Sequence, residues 1–189
     1  LEPRTLAVVV VVMVAAFAEG SANDWISLAF IDGHDQPEWA GILGLALFLG
    51  AMTVGRIVGT GLLARHGRVA MLRATFAAAI VGSLMVVMGD TALAYAGAAV
   101  WGVGASLGFP VGMSAGADDP ARAAARVSVV STIGYLAFLA GPPALGFLGD
   151  HHGVLRALAV VPALVAVAFA FVPATAPRGD ARPAREPAH

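Results

Sequence analysis

Apolar residues run through this chain in six long blocks separated by short polar punctuation. The blocks cover 6–31, 40–64, 69–89, 92–117, 127–149 and 155–172. A helix needs about 20 mostly apolar residues to cross the hydrocarbon core of a bilayer, and all six qualify. The connections are brief and hydrophilic: "DGHDQPEW", "RHGR", "GDT", "DDPARAAAR" and "DHHG". After Pro173 comes "ATAPRGDARPAREPAH", a Pro- and Arg-rich stretch expected to be disordered over 174–189. The pattern predicts an all-α integral membrane protein, with one six-helix bundle over residues 1–173 and a polar tail.

The first block contains a conflict. Leu6 to Ala18 is only 13 residues, about 20 Å of helix at 1.5 Å per residue, against a slab about 30 Å thick. To cross, this helix must take in Glu19 and Asn23, with Asp24 nearer the outer edge. Glu19, Asn23 and Ser27 fall on one helical face. A charge in hydrocarbon costs several kcal/mol, so that face must meet protein or a water-filled cavity. The alternative is that "EGSAND" simply opens the outer connection, leaving Asn23 and Asp24 solvated. Glu19 is the candidate for a proton- or substrate-coupled carboxylate.

Arg56 raises the same question in the second block, about 12 Å from its cytoplasmic end. Thr53 and Thr60 share its face. It can snorkel toward the aqueous surface, pair with Glu19, or hold an anionic group. Helix arithmetic separates the two charges by about 8 Å in depth, which makes a direct pair strained and favours a packing or gating role.

Arginine placement sets the orientation. The N-terminus, the 65–73 and 118–126 loops and the tail hold Arg4, Arg65, Arg68, Arg73, Arg122, Arg126, Arg178, Arg182 and Arg185. The opposite loops hold Arg156 alone, beside Asp32, Asp35, Glu38, Asp90 and Asp150. Both termini are therefore expected on the cytoplasmic side of the membrane.

The fourth block reads "WGVGASLGFPVGMSAGA". Gly102, Gly104 and Gly108 let a neighbouring backbone approach closely, and Pro110 removes a backbone hydrogen bond inside the helix. The fifth carries Gly141, Pro142 and Pro143 in its outer half. Two interrupted helices beside an acid-bearing one form a pattern seen in secondary transporters. Trp25 and Trp39 suit an interfacial belt. Trp101 is deep enough to face a cavity.

Composition narrows the chemistry. Hydrophobic residues make up 59% and charged residues 12%, about half the charge of a soluble domain. With no cysteine, disulfides and thiolate metal sites are excluded. The net charge of −1 gives no reason to expect nucleic acid. His151 and His152 sit beside Asp150 without further ligands, so no metal is expected. No zinc-protease helix pair, Ser/His arrangement or phosphate-binding glycine loop is present, so neither enzyme activity nor a cofactor is expected.

These residues resemble the C-terminal half of a major facilitator superfamily transporter, in the bacterial branch of the MosC-like proteins and more distantly the fucose permeases. The resemblance runs from about Leu6 to Val172. It rests on "FAEGSANDW", "GRIVGTGLLARHGR" and "STIGYLAFLAGPPALGFLGD". The family's loop motif G-D-x-x-x-D-R-x-G-R maps onto Gly59 to Arg68: Gly59, Arg65, Gly67 and Arg68 match, while Thr60 and Ala64 replace its two acids.

That resemblance implies a bundle equivalent to helices seven to twelve of a twelve-helix protein. Its first and fourth helices would line a central cavity, making Glu19, Asn23, Asp24, Trp25, Trp101, Ser106, Phe109 and Met113 candidate pathway residues. The second and fifth would form a moving wall carrying Arg56, Ser131, Thr132 and Tyr135, with Gly59, Arg65, Gly67, Arg68, Gly141, Pro142 and Pro143 as further gating candidates. It implies movement of a small solute by alternating access, with protons as a candidate coupling ion. A lone half cannot enclose a two-sided pathway. The chain opens on Leu1 rather than Met, which suggests a fragment or processed half needing a missing six-helix half or a second copy.

Overall fold

The computed structural model describes residues 2–120 and 122–177. Among these, all regular structure is helical. Helix α1, Pro3–Leu28, continues into a π-helical turn, Ala29–Gly33, and is followed by α2, Glu38–His66. Next come α3, Arg68–Met88, α4, Thr91–Ala105, and α5, Gly108–Gly116. The chain ends with α6, Ala123–His152, α7, Val154–Leu158, α8, Val160–Phe171, and a 3-10 turn, Val172–Thr175.

Among the described residues, five helical stretches are long and apolar enough to cross a membrane: Pro3–Gly33, Glu38–Met88, Thr91–Gly116, Ala123–His152 and Val154–Thr175. The second is 51 residues long and contains both α2 and α3. They part at Gly67, whose φ of +79° is readily adopted only without a Cβ. The helices extend into the polar connections further than hydropathy alone indicates. Asp150, His151 and His152 belong to the last turn of α6 rather than to a loop. Residues 174–177 carry the closing turn and its exit, so the expected disorder does not begin at 174; the rest of the tail lies outside the described residues.

Proline acts differently in the fourth and fifth blocks. The fourth divides at Ser106 and Leu107, ahead of Pro110, which becomes the third residue of α5. There its missing N–H is one of the donors that a helix start leaves without an intrahelical partner. The break falls one turn earlier because the pyrrolidine ring crowds the carbonyl four residues back. Pro162 sits equally at the third position of α8, just after the break at Ala159. The expected interruption at Gly141, Pro142 and Pro143 is absent: α6 stays helical through all three. Both prolines hold a helix-compatible φ, and their cost is confined to two freed carbonyls, at Phe138 and Leu139.

Helix α4 packs between α2 and α3, while α1 lies chiefly along α6 and also touches α2, α5 and α8. The core is built on Trp101, Phe30, Phe48, Ile26 and Leu72, all fully buried. Small residues bring α3 and α4 into backbone contact. A Cβ on Gly82 would lie 2.3 Å from the Trp101 nitrogen, and one on Gly104 2.3 Å from the Ala79 nitrogen. In lipid, where no hydrophobic force joins apolar helices, such close packing is a main source of association.

The outer helices differ. Of the most apolar stretch of α1, 67% is buried, against 17% for α6. Ile42, Ile57 and Val58 on α2 and Leu136, Leu139 and Phe147 on α6 are exposed, a hydrocarbon surface suited to lipid or to another helical body.

Candidate functional site

Glu19 and Arg56 form an ion pair. Arg56 Nη2 donates to Glu19 Oε1 at 2.8 Å. The depth mismatch that made this pair look strained is absorbed by the length of the arginine side chain and by the close approach of α2 to the break in α4. Gly55 makes that approach possible: a Cβ there would meet Ser106 at 2.8 Å. Gly59 does the same one turn on, against Leu107.

The break supplies a second partner. In an unbroken helix the Ser106 carbonyl would accept from residue 110, but proline has no N–H to give. Arg56 Nε donates to that carbonyl instead, at 3.3 Å. Pro110 thus contributes by creating an acceptor, and Arg56 is held at two points. The Ser106 hydroxyl itself is buried and donates to the Val103 carbonyl.

A pocket of about 120 Å³ opens beside Glu19, lined also by Ala16, Phe109, Gly134, Tyr135 and Phe138. The Phe109 and Tyr135 rings approach to 5.9 Å between centroids. Gly134 leaves the room: a Cβ there would reach Phe109 at 3.0 Å. A larger pocket of about 230 Å³ lies on the other side of the pair, between α2 and α5, and Arg56 lines it. The pair therefore stands between two cavities.

A separate charged cluster ties the N-terminal end of the bundle. Asp118, in the connection after α5, accepts from Arg68 at the start of α3 and from Arg4 on α1 at 2.8 Å. Arg4 also donates to the carbonyls of Ala174, at 2.9 Å, and Ala176, at 2.6 Å, beyond α8. Arg68 donates further to Ser114 Oγ at 2.9 Å. Burial works to raise the Asp118 carboxyl, but hydrogen bonds from Arg68 and Arg4, with their charges, outweigh it and hold the group below the ordinary 3.8. Nearby, Glu2 pairs with Arg122 and Arg126 at 2.9 Å each, and Arg126 with Asp119 at 3.4 Å.

The structure brings Glu19, Arg56, Phe109 and Tyr135 together and separates them from other candidates. Trp101 is fully buried in the core, edge-on to Phe48. Trp25 turns toward α6 and packs over Gly146 and Gly149. Met113 packs with Val8, Val9, Val12 and Val130 in a small second core. Asp24 is exposed and Asn23 half-buried. Ser27, on the Glu19 face, donates to the Gly41 carbonyl and joins α1 to α2. Ser131 bonds back to Val127 within its own helix, and Thr132 is exposed. Gly141 leaves space for Phe17. Of the loop-motif positions, Gly59 and Gly67 have structural reasons, Arg68 holds Asp118, and Arg65 is exposed. Phe138 and Asp118 escaped the sequence reading. Phe138 stands three residues after Tyr135, a spacing that places both on one face.

No protein-family model matches the chain. It is 34% identical over 165 residues to an uncharacterized MFS-type transporter of Yersinia pestis, covering 84% of this chain. It is 30% identical over 142 residues to an uncharacterized transporter of Sinorhizobium fredii, covering 74% of this chain. The chain spans about two fifths of the length of these curated relatives, 41% and 38% respectively. With five membrane-length apolar stretches and relatives named as transporters, it is a multi-pass membrane protein.

Proposed function

We propose that this chain is one half of a major facilitator-type secondary transporter, with α2 and α3 as separate crossings that bring the total to six. It moves a small solute across a bacterial inner membrane by alternating access, with both termini cytoplasmic. The observation that carries this is the Glu19–Arg56 pair: an intramembrane acid, opposed by an arginine, set between two cavities. Such groups are expensive in hydrocarbon and mark polar routes. In this reading Glu19 is the group that changes partner or protonation during the cycle, and Arg56 holds it in the resting arrangement. Phe109, Tyr135 and Phe138 form the apolar wall against which solute is seated. The exposed apolar faces of α2 and α6 favour completion of the pathway by a second six-helix body.

The absence of cysteine makes the test clean, since a single introduced thiol reports alone. Phe138→Cys and Thr60→Cys would be labelled with a membrane-impermeant maleimide in sealed vesicles of either orientation. Exposure of position 138 to one side and 60 to the other, with Glu19→Gln shifting both in opposite senses, is the expected outcome. Labelling that ignores the Glu19 substitution would remove the assignment.

A further inference from the structure

We propose that the pocket between α2 and α5 binds an amphipathic anion, a carboxylate or phosphate head carried on an apolar body. This pocket is separate from the one beside Glu19 but shares Arg56 with the proposed route, so the inference rests in part on that reading, while its test reads binding and not transport. Its walls are Leu63, Leu107, Pro110 and Val111, and its polar groups are Arg56, Arg68, Thr60 and Ser114. Among the described residues, no carboxylate lines it. Glu19 contacts Arg56 from beside the other cavity, and Asp118 contacts Arg68 from the connection after α5.

Donor accounting favours an anion. A guanidinium carries five N–H groups. Arg56 uses one on Glu19 and one on the Ser106 carbonyl, and Arg68 uses one on Asp118 and one on Ser114. Each thus keeps donors available to oxygen atoms in the pocket. Charge favours it too. Asp118, the partner of Arg68, is shared with Arg4, so its charge does not neutralise Arg68 alone. The helix start of α3, with no side-chain cap and no acid in its first turn, places further positive potential at Arg68.

Position 60 decides the sign of this pocket. Thr60 lines it from α2 and brings no charge of its own. A carboxylate at 60 would supply from within what the pocket otherwise takes from outside. The apolar walls explain why a simple inorganic ion is not the better occupant: most of the surface is hydrocarbon, which only an apolar body covers. At about 230 Å³ the cavity suits a medium-chain acid or the upper part of a phospholipid.

The test uses the whole chain in a neutral detergent. Decanoate and dioleoylphosphatidylglycerol are added separately, with dioleoylphosphatidylcholine as the uncharged-head control, and retained adducts are counted by native mass spectrometry. Retention of decanoate alone identifies a soluble acid as occupant, and retention of phosphatidylglycerol over phosphatidylcholine identifies a lipid headgroup. Thr60→Asp is expected to weaken whichever binds by about tenfold or more, while Thr60→Asn leaves it within about twofold. Thr60 is exposed and its hydroxyl bonds only within its own helix, so neither change should unfold the bundle. Failure to retain either anion above the control, or equal retention by Thr60→Asp and the parent chain, would overturn the proposal.

Discussion

Asp118 and Glu19 use the same chemistry in opposite settings. At the N-terminal end, Asp118 receives two arginines and, through Arg4, reaches the end of α8, so one carboxylate ties four segments of chain. Within the bundle, Glu19 receives a single arginine whose side chain is 45% exposed, and its pocket leaves room around it. The first arrangement is over-determined and holds. The second is held by one ion pair and one carbonyl, with empty space on both sides, which suits an element that must change. An ion pair is informative less for its length than for how many other constraints agree with it.

The sharpest way to break that contrast is to remove Asp118. Asp118→Ala leaves Arg4 and Arg68 without their anion, and losing one partner of a partly buried network costs about 3 kcal/mol. Thermal unfolding in mild detergent should show this as a clearly lower midpoint; an unchanged midpoint would mean the cluster is ornamental. Next in size is Glu19→Ala, expected to cost about 1–2 kcal/mol because Arg56 keeps the Ser106 carbonyl and can reach water through the larger pocket. Adding Arg56→Ala should recover part of that loss. A double-mutant cycle that shows strict additivity would deny the coupling.

Acid should separate the two further. Asp118 titrates below its ordinary value in the folded chain, so its contribution is present above the unfolded 3.8 and is lost as pH falls through the lowered folded value. Stability measured from pH 5 to pH 3 should therefore fall only toward the lower end, and Asp118→Asn should flatten that part of the curve. The smallest effect belongs to Arg122→Gln. Its partner Glu2 keeps Arg126, and an exposed pair contributes about 0.5 kcal/mol or less, which moderate salt should erase.

Much of this was legible in order along the chain, because burial in lipid imposes length and apolarity on each crossing. The long helices, the break near Pro110 and the gathering of Arg4, Arg68, Arg122 and Arg126 at one end all follow from such local rules. What could not be seen was lateral. Trp101 looked available because its depth matched a cavity, but depth says nothing about which face a helix turns inward, and the Gly82 and Gly104 contacts turn that face into the core. Asp118 looked like one more loop acid, since its partners lie 50 and 114 residues away. Pro142 and Pro143 looked like a break, yet a rule about one lost hydrogen bond does not decide whether neighbouring turns will carry the cost. The Glu19–Arg56 pair was visible as an option. Only the glycines at 55 and 59, read against an opposing backbone, convert it into a contact.

The seam between α3 and α4 carries one more implication. With peptide groups meeting where side chains usually intervene, these two helices have no cushion along which to slide, and any rearrangement must carry them as a single unit. The α3–α4 pair is the most tightly joined part of the fold, whereas α6 leans chiefly on α1 and leaves most of its apolar surface uncovered.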